Sequence, residues 1–237
     1  MKVVLSRKGM DSRAGGIPSP ILPDGTLLSL PIPNEKSGVP YGDLVYKGRT
    51  YQQIIQQIHP TFDFQKHPFC HLDPDIYGVL KNTHAGWKPA FGQYEIPAKH
   101  LDGQGVDVGD VFLFYGMFRQ TEKLPDGTLH FVKGAPIQHI IYGYMVVSEI
   151  LKDQDKIKEL YPWHPHAAST RGCSRRCHSR RCGSAKRAGG TTACSRTVIL
   201  SFLVNRDSRT VGFGICLLSS PLVTFSFLGR VKISPCW

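Results

Sequence analysis

Acidic residues are almost missing from the last third of the chain. Asp207 is the single carboxylate in residues 164–237, against 12 lysines and arginines. Cysteine shows the opposite gap: only Cys70 lies in residues 1–163, and the other six lie beyond. The first part therefore has no disulfide framework. With 17 basic and 17 acidic residues it also carries no net charge. Such a surface lacks the cations that tight, sequence-independent duplex binding requires. No secretory leader is expected either, because the apolar run Val3-Val4-Leu5 is too short, so a cytoplasmic location is expected. The uncharged run 211–229 approaches membrane-spanning length. It contains Pro221, serines and glycines, and no membrane partner is expected.

The basic, Cys-rich arm at 167–237 has two readings. It binds nucleic acid or metal, or it is text from a shifted reading frame beginning near codon 166. The run RGCSRRCHSRRCGS, Arg171 to Ser184, favours the frameshift, since its residue choices agree with no folded element. The arm is expected not to be natively structured. Cys173, Cys177 and Cys182 have a loose zinc-ligand spacing, but a second ligand pair is missing. No zinc site is expected there.

In the first part, periodicity marks a few elements clearly. Tyr51, Ile54, Ile55 and Ile58 recur at helical spacing after a potential N-cap, Thr50, and His59-Pro60 ends the pattern. Gly109 to Arg119 reads as a central strand, with Phe112 and Phe114 on one face and Val111, Leu113 and Tyr115 on the other. Gln138 to Ile150 reads as a second long strand, and Lys152 to Leu160 as a short polar helix. Leu-Pro-Asp-Gly-Thr-Leu occurs at 22–27 and again at 124–129. Asp-Gly accepts the positive φ of a tight turn, so both copies predict hairpins. Phe62 to Gly92 has little periodicity and many His, Asp and aromatic residues, which marks it as a site region.

Two stretches carry candidate chemistry. Ser6, Arg7, Lys8 and Gly9 leave a strand and enter a loop with Gly15-Gly16, which suits an anion such as phosphate. The glycine spacing fits neither a Walker loop nor a dinucleotide fingerprint. The plain alternative is a polar surface loop. Cys70-His71-Leu72-Asp73-Pro74-Asp75 is the second stretch. In extended chain His71, Asp73 and Asp75 point one way. They suit general acid/base catalysis or, joined by His84, a divalent metal such as Mn, Fe, Zn or Mg. The plain alternative is a turn in which Asp73 caps a backbone N–H and Cys70 is a small core residue. Cys70 as a nucleophile would need a base, and His71 would point away from it in a strand. His164 and His166 could bring further ligands to this site, but as a lone pair they read as polar surface, and His139 reads as structural. Trp87, Phe91, Tyr94 and Tyr115 are candidates for stacking on a base.

Several blocks, in order, resemble one family: Ser6-Arg7-Lys8-Gly9, then Gly15 through Pro33, Cys70-His71-Leu72-Asp73-Pro74-Asp75-Ile76, Gly109 through Gly116, and His139 through Tyr144. Over roughly residues 1–166 the chain resembles nucleotide modification associated domain 3. The resemblance implies an association with phage and bacterial systems that modify nucleobases. Together these readings predict an α+β, β-rich domain at 1–166 that binds or processes a nucleotide or modified base. Its strand and hairpin pattern is similar to small PUA-like barrels. The rival functions are a non-catalytic, PUA-like reader of modified nucleic acid and a metal-dependent hydrolase or transferase acting on a small molecule.

Overall fold

The computed structural model describes residues 1–35, 38–167, 197–203 and 233–236. In chain order the elements are β1 (Val3–Arg7), β2 (Ser19–Ile21), β3 (Ile32–Asn34), β4 (Val39–Pro40), β5 (Val45–Tyr46), β6 (Arg49–Thr50), α1 (Tyr51–Ile58), β7 (Phe69–His71), β8 (Ala90–Tyr94), α2 (Glu95–Gly103), β9 (Val111–Lys123), β10 (Leu129–Phe131), β11 (Gln138–Leu151), α3 (Gln154–Leu160), β12 (Thr197–Leu203) and β13 (Ile233–Cys236). The architecture is α+β and rich in β, as the sequence predicts. The notion of a small closed barrel is not supported. Among the described residues the main sheet runs β13-β1-β9-β11-β12-β8 and does not close, with β2 and β10 also paired to β9.

β9 is the backbone of this sheet. Phe112, Phe114 and Phe118 alternate with half-buried Val111, Leu113, Tyr115 and Met117, so both faces are covered. β1 lies parallel to it, pairing Val3 with Val111 through Arg7 with Tyr115. β11 lies antiparallel on the other side. The Asp126-Gly127 turn closes the β9–β10 hairpin, with Leu129 opposite Lys123. The Asp24-Gly25 turn forms as well, but its flanks make only the Ile21–Leu27 bridge. Ile21 belongs instead to β2, which runs parallel to β9.

α1 occupies the predicted residues. Thr50 accepts from the Gln53 N–H while the Gln53 side chain accepts from the Thr50 N–H, a reciprocal capping box. Tyr51, Ile54, Ile55 and Ile58 are all buried. α3 starts one residue after Asp153, whose carboxylate accepts from the N–H groups of Asp155 and Lys156. α2 is an element the sequence pattern did not reveal, and it buries only Ala98 and Leu101.

Two main cores result. One gathers α1 with Tyr41, Leu44, Cys70, Leu72, Tyr161 and Trp163. The other joins the sheet to α2 through Val4, Phe91, Phe112, Phe114, Ala98 and Leu101. Leu72 lies in the first and Phe91 in the second, and the residues beside them meet at the seam. Of the arm at 167–237, the structure describes Ala167 and the strands β12 and β13, which pair with β11 and β8 and with β1 respectively. The Arg171–Ser184 run, the cysteines at 173, 177 and 182, and the uncharged run 211–229 lie outside the described residues. No described helix is long and apolar enough to cross a membrane.

Candidate functional site

Asp73 stands at the centre of the seam, its side chain fully buried. Its Oδ1 is held firmly. The Gly92 N–H donates to it at 3.0 Å, and His164 Nε2 stands at 3.2 Å. The His166 N–H donates to His164 Nδ1 at 3.2 Å. That bond leaves the His164 proton on Nε2, so the ring donates to Asp73 and orients it.

Oδ2 is surrounded differently. His166 Nε2 is 3.4 Å away, Lys8 Nζ 3.5 Å and His71 Nε2 3.8 Å. These neighbours stand beyond a good hydrogen-bond length, and Oδ2 accepts no hydrogen bond. Burial pushes the Asp73 carboxyl up, but the Lys8 ammonium and then His164 outweigh it and hold the group well below the usual carboxylate range. Asp73 is therefore an anion at neutral pH. Burial pushes His71 down, and His166 and Lys8 act the same way against the opposing pull of Asp73. Its imidazole is neutral at pH 7 and offers a lone pair.

Local structure explains how these groups meet. Val4 and Ser6 face inward from β1, and the same alternation brings Lys8 in just past the strand end. The Lys8 ammonium lies 4.3 Å from the centroid of the buried Phe91 ring, a cation–π contact. His71 ends β7, and Asp73 follows two residues later. His164 and His166 come from the turns after α3. Gly92 in β8 is required by contact. A Cβ there would stand 2.6 Å from His164 Cε1 and 2.5 Å from His166 Cδ2.

Of the acid/base and metal candidates, the structure brings His71 and Asp73 together and places Asp75 and His84 elsewhere. The chain turns after His71, so the alternation of an extended strand does not continue to Asp75. Its two carboxylate oxygens accept the N–H groups of Val79 at 2.9 Å and Leu80 at 3.0 Å. His84 Nδ1 stands 3.0 Å from the neighbouring Thr83 hydroxyl. The plain turn reading thus fits Asp75, and the plain reading of Cys70 fits as well. Its thiol is buried, donates to the Val39 carbonyl, and is pushed up by burial.

The four phosphate candidates do not converge on one anion site. Ser6 is buried in β1, and Gly9 is packed against the Ser29 and Ser19 hydroxyls. Arg7 points outward and pairs with Asp11 at 2.6 Å. The Asp11 carboxylate also accepts the N–H groups of Arg13 and Ala14, donors that a phosphate in this loop would have needed. Lys8 alone reaches the buried cluster. The loop does line a surface groove of about 870 Å³ with Arg13, Gly15, Gly16, His59, Lys66 and His67. None of these residues contacts Asp73.

His164 and His166, for which the sequence favours a surface role over added ligands, stand at Asp73. His-Pro-His so close to a Trp was the available signal. Of the stacking candidates, Phe91 is fully buried, Trp87 stacks on Trp163, and Tyr94 and Tyr115 are half-buried. His139 is exposed on β11.

No curated protein and no solved structure matches the chain. The model of nucleotide modification associated domain 3 matches residues 2–211, running past the last of the blocks quoted above, and the chain belongs to that family.

Proposed function

We propose that the protein processes a nucleotide or nucleobase at the Asp73 cluster. The family assignment supports the substrate class, since its description names nucleotide modification. One observation supports chemistry over simple binding: a fully buried carboxylate is kept ionised beside Lys8, while His71 and His166 carry the cluster toward solvent, with side chains 22% and 13% exposed. Removing a carboxylate and an ammonium from water costs several kcal/mol per ion, and apolar residues of equal volume would serve stability as well or better. Clusters with such perturbed groups mark functional sites. The lone pair of a neutral His71 beside an anionic Asp73 is open to a proton or to a cation, and Lys8 supplies a positive charge for charge that develops on a substrate oxygen.

The test is incubation of the purified chain with a panel of nucleotides, nucleosides and base-modified oligonucleotides, read by mass spectrometry. The comparison is the Asp73→Asn variant. Conversion by the parent and loss of at least 100-fold in the variant is the expected result. Binding without conversion, equal in the two proteins, would instead make the chain a non-catalytic reader. Neither binding nor conversion across the panel would overturn the nucleotide assignment.

A further inference from the structure

We propose that His71, Asp73 and His166 form a binding site for one divalent transition-metal ion. The inference deepens the reading of the Asp73 cluster as the active centre. His71, Asp73 and His166 each offer one ligand atom, and these atoms lie within 4.8 Å of one another. Metal bonds of about 2.1 Å place neighbouring ligands about 3.0–3.5 Å apart at octahedral or tetrahedral angles. The measured separations from Oδ2, 3.4 Å to His166 and 3.8 Å to His71, need to close by only a few tenths of an ångström.

The carboxylate is divided as a metal ligand requires. Oδ1 is occupied by the Gly92 N–H and His164, while Oδ2 is buried and accepts no hydrogen bond. Ligating carboxylates are oriented in this way by outer partners. His164 is therefore a positioning residue and not a ligand. Two imidazoles with one carboxylate select Zn, Fe(II), Co or Mn over Mg and Ca, which prefer all-oxygen sites. Three protein ligands leave coordination positions open on the side where His71 and His166 reach solvent. A bound ion would polarise a water or substrate oxygen there.

Lys8 gives the proposal a distinctive consequence. Its ammonium lies 3.5 Å from the same Oδ2 and so competes with the ion. Replacing Lys8 with an uncharged side chain of similar length removes that repulsion and tightens metal binding.

The experiment uses the full chain, stripped with a chelator. The six cysteines beyond residue 167 are first blocked by alkylation, so that they do not capture the ion. Calorimetry with Zn²⁺ and visible absorption with Co²⁺ then measure stoichiometry and affinity. One ion per chain is expected. His71→Ala and His166→Ala should each lose more than about 100-fold in affinity, and His164→Ala about 10–100-fold. Lys8→Met should gain at least about tenfold. His84→Ala should match the parent. Circular dichroism verifies that each variant is folded, and His71→Gln serves where His71→Ala is not. Absence of stoichiometric binding, or binding unchanged in folded His71 and His166 variants, would overturn the site. Metal binding without nucleotide conversion would uphold the site and defeat the nucleotide reading. Conversion by a protein that binds no ion would do the reverse.

Discussion

Lys8 Nζ stands 3.5 Å from Asp73 Oδ2, and the carboxylate side chain is wholly shielded from water. Lys8 closes the first strand and Asp73 sits in a turn after the seventh, so the pair ties the two cores together at their seam. Removing one partner of a buried pair leaves the other charge uncompensated, which typically costs about 3–5 kcal/mol. The Gly92 N–H and His164 also hold the Asp73 carboxylate, so the lower end of that range is expected for Lys8→Met. Urea denaturation of metal-free protein measures it. Saturating Zn²⁺ should restore most of the loss, because the ion replaces the missing cation at Oδ2. A variant as stable as the parent without metal would show that Lys8 does not stabilise Asp73.

Gly92 gives a second prediction. Its missing Cβ is the space in which the His164 and His166 rings lie, and the Gly92 N–H holds Asp73. The adjacent imidazoles cannot withdraw without losing their contacts to Asp73. Gly92→Ala is therefore an overpacking change, expected to cost about 1–3 kcal/mol. It should also weaken metal binding, since both rings must shift. Thermal denaturation and a zinc titration on the same preparation give both numbers. A drop in stability with intact affinity would show that the rings move as a unit.

How much of this was legible in the sequence follows from the range of each interaction. α1 was readable because its signals lie within one turn of each other: a cap at Thr50 and an apolar stripe from Tyr51 to Ile58. β9 was readable from its period of two. The site was half readable. His71 and Asp73 are close in sequence, but His164 reaches Asp73 across 91 positions, a contact no local pattern encodes. Lys8 was grouped with Arg7 by charge, although strand alternation sends the two to opposite sides. Following Val4 and Ser6 inward would have separated them. Asp75 was misplaced by assuming an extended chain where the backbone turns. α2 was missed because its apolar face amounts to little more than Ala98 and Leu101.

Cys70 offers a chemical check on the fold around the site. It neighbours His71, yet its thiol is buried, donates to the Val39 carbonyl, and is pushed up by burial. The thiolate is the reactive form, so Cys70 should be inert in the native protein. Treatment with iodoacetamide in mildly alkaline buffer, followed by peptide mass mapping, should leave the Cys70 peptide unmodified until urea is added. Rapid native labelling would mean that the seam between β7 and β4 opens readily. It would also reopen Cys70 as a nucleophile.

Asp75 separates architecture from chemistry within one short stretch. It is buried like Asp73, two positions away, but both its oxygens serve backbone N–H groups, those of Val79 and Leu80. Asp75→Ala leaves those donors without partners, and a buried unsatisfied group costs about 1–3 kcal/mol. A loss of about 2 kcal/mol in urea denaturation is expected, allowing for partial access of water. Asp73→Asn should lose the ion, and Lys8 left without its anion adds a stability cost of its own. The amide keeps the shape of the carboxylate and can still accept from Gly92 and His164 through its oxygen, while the charge that attracts a cation is gone. Asp75→Ala should therefore be a destabilised protein that still binds one ion, and Asp73→Asn a folded protein that does not. If both substitutions abolish metal binding while the chain stays folded, Asp75 takes part in the site through a rearrangement of the 73–80 turn. If neither does, the cluster around Asp73 works without a metal, and its histidines and lysine act as acid, base and counter-ion alone.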